Sequence, residues 1–228
     1  MLDPGQPDEM LRGKVVMVTG ANAGMGKEIS LALAGMGARI VMVSRDPGRG
    51  EAARAEIERK TGNPDIELLV ADLSSQRSIR QLVEEFVARH SQLNVLVNNA
   101  GVTLPKRVET EDGIETVFAT NHLAPFLLTN LLLPVLTAGA PARIVTVSSG
   151  AQAFGKIDFG DLQGTRSYNE IRAYNQSKLA NLLFTYELAR RTADTRVTAN
   201  ASDPGFVKNN LKVPVPLSRF QFARRKAV

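Results

Sequence analysis

The sequence predicts a doubly wound α/β fold on a single parallel sheet. Three observations carry this reading: short apolar runs recur along the chain, helix-length segments separate them, and glycines cluster directly after the first run. The first run, residues 14–19, is β-branched and apolar, and residues 25–36 read as the helix that follows the glycines. A second strand covers 39–44, and the alanine-rich, charged stretch 48–60 reads as its helix, closed by Gly62 and Pro64.

Further strands are predicted over 66–71, 93–98, 143–148 and 196–202, with helices over 76–90, 111–136 and 168–191. The strands are apolar on consecutive residues, which predicts burial on both faces. Strands alternating with helices of this length favour right-handed crossovers, with ligands at the carboxyl ends of the strands. We expect an N-terminal extension (1–12), a single domain (13–211) and a basic C-terminal tail (212–228).

Composition supports one globular domain: of 228 residues, 43% are hydrophobic and 22% charged, a balance that excludes a disordered chain. There is no Cys, so neither a disulfide framework nor thiolate catalysis is available, and the expected location is the cytoplasm. Residues 1–10, with Pro4, Pro7 and three acidic side chains, resemble neither a signal peptide nor an anchor. The longest apolar stretch, 123–136, is broken by Thr129, Asn130 and Pro134 and falls short of the roughly 20 residues a spanning helix needs, so no membrane anchor is expected. The net charge is +5, and the tail, with Lys212, Arg219, Arg224, Arg225 and Lys226 and no acidic residue, accounts for it. No aromatic platform accompanies these cations, so no nucleic acid is expected.

After the first strand the chain reads Thr19-Gly20-Ala-Asn22-Ala-Gly24-Met25-Gly26. Glycines there permit positive φ and let backbone approach a pyrophosphate at a helix N-terminus, as in a Rossmann-type dinucleotide site. The second strand ends Val43-Ser44-Arg45-Asp46, where Ser44 and Arg45 suit a ribose 2′-phosphate, with Lys27 as a further cation. Asp46 is the contrary feature, serving either a ribose hydroxyl or a pairing with Arg45. NADP(H) is therefore expected ahead of NAD(H).

Each of the three tyrosines has a basic residue four positions later: Tyr168 with Arg172, Tyr174 with Lys178 and Tyr186 with Arg190. Spacing alone does not choose among them. Tyr174 stands apart through its setting, Ala173-Tyr174-Asn-Gln-Ser177-Lys178-Leu-Ala-Asn181, and through Asn98-Asn99-Ala100-Gly101 at the end of the fourth strand. With these motifs in this order, the chain resembles the short-chain dehydrogenase/reductase family over about residues 13–211. The segments 121–129 and 177–185 give it the flavour of the retinol dehydrogenase-like branch.

The resemblance implies an oxidoreductase that transfers a hydride between NADP(H) and an alcohol or carbonyl compound, apolar in character. It implies Tyr174 as general acid or base, Lys178 lowering the tyrosine pKa and holding the nicotinamide ribose, Ser149 donating to the substrate oxygen, and Asn121 supporting a proton-relay water. It also implies cofactor contacts at Gly20, Asn22, Gly24, Met25, Gly26, Ser44, Arg45, Asp72, Leu73, Asn98, Ala100, Gly101, Pro204 and Gly205. Ser148 and Ser149 could instead both cap the next segment, Asp72 could be an N-cap or turn residue, and His122 reads as structural. No metal ligand cluster competes, since His90 and His122 are isolated in sequence.

The pattern is not met everywhere. Asp203 stands where this branch often has histidine, and no threonine follows Pro204-Gly205, leaving Asn209 or Asn210 as substitutes. The family normally continues with another helix and a seventh strand, so the expected sheet is shortened at the C-terminus. That shortening favours an alternative reading, a cofactor-binding but catalytically weak sensor or interaction protein. A homodimer or homotetramer through the helices before the fifth and sixth strands is also implied by the resemblance.

Overall fold

The computed structural model describes residues 9–205. The basic tail, Asn209 and Asn210 lie outside the described residues. Six parallel strands form one sheet in the order β3-β2-β1-β4-β5-β6: β1 (Val15–Thr19), β2 (Arg39–Ser44), β3 (Ile66–Val70), β4 (Val95–Asn98), β5 (Ala142–Val147) and β6 (Val197–Ser202). The order reverses beside β1, between β1 and β4, which opens a crevice at the carboxyl ends of those strands.

On one face α1 (Gly24–Gly35) and α2 (Pro47–Thr61) bury Ala34, Ala53 and Ile57 against Val16, Val18, Ile40 and Met42. On the other, Phe86 of α3 (Gln76–Arg89) and Leu128 and Leu132 of a later helix pack on Met17, Val41 and Leu96. Alternate residues of β1 thus serve opposite cores, which is why the strand is apolar throughout.

Helix boundaries follow local chemistry. In α2, Asp46 accepts from the Arg49 amide at the N-cap, Pro47 opens the first turn, and Gly62 closes the helix at φ 68°. Ser75 caps α3 by accepting from Ser78, and Asn169 caps α6 (Glu170–Arg191) by accepting from Arg172.

The helix expected over 111–136 is corrected. Residues Glu109 and Glu115 bridge as antiparallel partners across a turn, and helix begins only at α4 (Thr116–Phe118). A π turn (Ala119–Leu123) follows, closed by Ala124 N–H donating to Ala119 O, and α5 (Ala124–Ala138) continues. Glu115 starts the helix because its carboxylate accepts from both Val117 and Phe118 amides. Glu111 and Asp112 are held away by the start of α3, where Ser75 Oγ donates to Glu111 and the Gln76 amide to Asp112.

The continuous helical stretch Thr116–Ala138 is longer than the apolar run counted in the sequence. Its 23 residues and hydropathy of 1.2 meet the length and composition of a membrane span. In this fold half of that window is buried, and Leu128, Leu132 and Leu136 belong to the core.

A second correction concerns β6. Val197 is buried, but Thr198, Asn200 and Ser202 are exposed, so this edge strand is covered on one face only among the described residues. Its sequence, VTANAS, alternates as a half-buried strand should.

Candidate active site

The turn between β1 and α1 is shaped by glycine. Gly20 and Gly24 have φ of 66° and 52°. At Gly26 any side chain would collide with the Gly20 carbonyl and the Asn99 amide, so the helix packs on the strand without a Cβ between them. Unlike α2, α3 and α6, α1 begins at Ala23 without a side-chain cap, and a Cβ at Gly24 would meet open space. Unpaired amides facing open space suit a bound phosphate, so the residues present fit a dinucleotide. Asn22 and Met25, partly buried, flank this turn.

Thr19 organises the floor of the turn, a role the motif count missed. Its buried hydroxyl donates to Val97 O and accepts from the Asn99 and Ala100 amides, at 2.9 and 3.0 Å. Asn99 Nδ2 in turn donates to Thr19 O at 2.8 Å. The neighbouring Asn98 turns the other way. It is buried and donates to Thr129 Oγ1 of α5, so its side chain braces β4 and does not face the crevice.

At the end of β2 the roles also divide. Ser44 is buried and its hydroxyl donates to Asp46 O. Asp46 caps α2 through its Oδ1 and forms no ion pair with Arg45 among the described residues. Lys27 pairs with Glu56 at 2.9 Å, which neutralises the second cation expected at this position. Arg45 is exposed and forms no ion pair among the described residues. At the end of β3, Asp72 is a turn residue: its Oδ1 accepts from the Ser74 amide and hydroxyl, beside buried Leu73.

The β5 end separates the two serines. Ser148 Oγ donates to Lys178 O and is buried, while Ser149 is half-buried and stands near enough to the Tyr174 hydroxyl to oppose the rise in its pKa. Ser149 also accepts from the Ala151 amide as the cap of a short 3₁₀ turn, which is the capping role the sequence allowed. Tyr174 and Lys178 project from the same face of α6, one turn apart. Lys178 Nζ lies 5.6 Å from the centroid of the Tyr174 ring and donates to Val147 O at 2.9 Å.

The expected lowering of the tyrosine pKa is corrected. Burial pushes the Tyr174 hydroxyl up, opposed by the Ser149 hydrogen bond and reinforced by the Asp203 carboxylate. Burial also brings Lys178 down to about 8. Both groups are driven toward their neutral forms, because each leaves water for the interior.

Asn121, fully buried in the π turn, joins the site to the loop after β4. Its Oδ1 accepts from the Val102 amide, and its Nδ2 donates to Val102 O and Ser177 Oγ. Gly101 lies against both groups: a Cβ there would be 3.4 Å from Asn121 Oδ1 and 3.8 Å from Lys178 Nζ. Sequence reasoning missed Asn181, whose Nδ2 donates to the Asn121 carbonyl at 2.8 Å and whose Oδ1 meets His122 Nδ1 at 3.1 Å. Its position seven residues after Tyr174 placed it on the same helix face, the one signal available. His122 is held among Phe118, Phe184 and Asn181, and burial lowers its pKa, consistent with a structural role. Pro204 and Gly205, with Gly205 at φ 67°, follow the end of β6.

A buried tyrosine-lysine pair, a serine close to the phenol and a phosphate-ready glycine turn thus stand at the carboxyl ends of β1, β4 and β5 in a Rossmann sheet. The chain belongs to the short chain dehydrogenase family, whose pattern it matches over residues 14–217. Among curated relatives it is 50% identical over 204 residues to retinol dehydrogenase 12 of Bos taurus, covering 90% of this chain and 65% of that protein. It is 42% identical to retinol dehydrogenase 14 of Homo sapiens, over 94% of this chain and 67% of that protein. The chain therefore spans a little under two thirds of the length of its retinol dehydrogenase 12 relatives.

Solved structures agree. An uncharacterized protein from Mycobacterium Paratuberculosis superposes with a TM-score of 0.77 at 41% identity, covering 88% of this chain and 71% of that one. The Pseudomonas aeruginosa RhlG/NADP active-site complex superposes with a TM-score of 0.74 at 27% identity, covering 90% and 77%.

Proposed function

We propose that this chain interconverts an alcohol and a carbonyl compound with NADP(H), using Tyr174 as the proton donor in reduction and acceptor in oxidation. The observation that carries the reading is buried Lys178, held by Val147 O with its Nζ 5.6 Å from the centroid of the Tyr174 ring, at the carboxyl end of β5. Bound NADP(H) would supply or accept the hydride. The chain's residues do the rest. Ser149 and Tyr174 would both meet the substrate oxygen, Ser149 steadying charge as it develops there and Tyr174 exchanging the proton. Lys178, already oriented by Val147 O, would reach a ribose hydroxyl or stabilise the phenolate. Asn121 would hold the loop after β4 in register with α6.

Exposed Arg45, left without a partner among the described residues, supports NADP(H) over NAD(H), as does likeness to a protein solved with NADP. With Ser44 donating to Asp46 O and Lys27 paired to Glu56, discrimination falls chiefly on Arg45. An apolar substrate is supported by similarity to retinol dehydrogenases and by Phe154 and Phe159, 68% and 85% exposed on the segment after Ser149. The same reading puts the chain in the cytoplasm and allows a homodimer or homotetramer through exposed Phe126, Leu183 and Tyr186 of α5 and α6.

The test is a fluorescence titration with NADPH and NADH, followed by carbonyl-reduction assays of the chain and its Tyr174→Phe variant. Preferential NADPH binding, with turnover abolished in the variant but NADPH affinity retained, is the expected result. NADPH binding without turnover by the unaltered chain would favour the catalytically weak alternative. Full activity in Tyr174→Phe would remove the tyrosine from the mechanism.

A further inference from the structure

At Tyr168 and Arg172 a second tyrosine–base pair of the sequence is split. Arg172 donates to Ser167 O, and the Tyr168 hydroxyl crosses to another loop, where it donates to Leu104 O at 2.9 Å. Leu104 belongs to the loop after β4, which passes Gly101 beside Asn121 and Lys178. Tyr168 ends the segment after β5, which leaves Ser149 and returns to α6 a few residues before Tyr174. The same two loops meet again, because Arg107 Nε donates to Gln163 O at 2.8 Å and the Glu115 amide donates to Gln163 Oε1 at 3.1 Å. Gln176 of α6 holds the second loop in turn: its Oε1 accepts from the Asp158 amide and its Nε2 donates to Leu162 O, both at 2.9 Å. Gly155 lets the start of that loop lie on the helix, where a Cβ would come within 2.6 Å of Asn175 O.

We infer that Tyr168 is a positioning residue: its hydroxyl latches the loop after β4 to the segment after Ser149, and the joined loops form a fixed wall that grips the body of the carbonyl substrate beyond its oxygen. This rests on Ser149 and Tyr174 meeting that oxygen. The two loops spring from the carboxyl ends of neighbouring strands and border those groups and Lys178. Burial, reinforced by the Glu115 and Glu170 carboxylates, pushes the Tyr168 hydroxyl up to about 12, so it remains a donor to Leu104 O well into the alkaline range. A wall fixed before binding needs no ordering when a long substrate arrives, whereas a short substrate reaches only the groups around its oxygen.

The test compares NADPH-dependent reduction of decanal and propanal by the full chain and by Tyr168→Phe, which keeps the ring against Gly164 and removes only the hydroxyl. Loss of this one hydrogen bond should raise KM for decanal about fivefold, with kcat, KM for propanal and NADPH affinity within about twofold of the unaltered values. Arg107→Gln should shift decanal the same way. Decanal binding to the NADPH complex of Tyr174→Phe, read by nicotinamide fluorescence, repeats the comparison without turnover, and adding Tyr168→Phe should weaken it by the same factor. Decanal binding that ignores the loss of the hydroxyl, no decanal binding at all, or an equal loss for both aldehydes and NADPH would each overturn the inference. Activity persisting in Tyr174→Phe would remove the proposed acid and leave the wall standing, since the wall is read from binding.

Discussion

Lys178 lies over the ring of Tyr174, 5.6 Å from its centroid, with its hydrogen bond given to the Val147 carbonyl. The lysine is thus oriented before any ligand arrives. Lys178 is 4% exposed and has no carboxylate partner among the described residues, so it carries its charge into the interior without an ion pair there.

That burden predicts a stability gain from Lys178→Met. The folded pKa, about 8, is below the ordinary 10.5, so the folded chain binds fewer protons than the unfolded one between those values. The cost is fully present below about pH 8 and is relieved as pH rises toward 10.5. We expect the variant to be more stable at pH 7 by about 2 kcal/mol and to be inactive, with the advantage shrinking at higher pH. Thermal melts at several pH values check both the sign and the trend.

Burial raises the Tyr174 pKa, which predicts opposite pH trends for the two directions of the reaction. Carbonyl reduction, which needs the phenol, should hold its rate into the alkaline range. Alcohol oxidation, which needs the phenolate, should climb with pH over the same range. Initial rates in both directions at saturating cofactor measure this, and parallel profiles would count against Tyr174 as the shared group.

Gly26→Ala should fail on steric grounds. Its Cβ would run into the Gly20 carbonyl of the turn and the side-chain amide of Asn99, which follows β4 and braces that turn. Lifting α1 off β1 is expected to cost about 1–3 kcal/mol and to abolish NADPH binding. Urea unfolding and nicotinamide fluorescence together show whether the two losses coincide.

Arg45→Ala should weaken NADPH selectively. A charge-assisted contact to a 2′-phosphate is worth about 1.5–3 kcal/mol, so a loss of at least about tenfold in NADPH affinity is expected, with NADH little changed. Equal loss for both cofactors would place Arg45 elsewhere in the site.

Asn181→Leu tests the hidden strut of the π turn. The change removes the hydrogen bond to the Asn121 carbonyl and leaves His122 Nδ1 without its partner. Destabilisation of about 2 kcal/mol is expected, with a fall in kcat from disorder at Asn121. Denaturant titration and single-turnover kinetics separate these effects.

The sequence by itself determined the strand and helix order, the glycine turn, and the one-turn spacing of Tyr174 and Lys178. Each is encoded locally, in period, in glycine placement or in helix geometry. It could not tell that Asn98 turns toward Thr129 while Asn99 serves the turn, since alternation in a strand names two faces without saying which is the core. Nor could local pattern show that Ser148 is tied to Lys178 O, thirty residues away, while Ser149, the serine the resemblance favoured, is only half-buried.

Tertiary contact likewise decided that helix starts at Thr116 and not at residue 111. Glu111 and Asp112 find partners at the start of α3, a segment 36 residues earlier that no local pattern connects to them. The direction of the Tyr174 and Lys178 shifts belongs here too. Spacing puts a cation beside a phenol, but the surrounding packing removes water from both, and desolvation then outweighs their proximity.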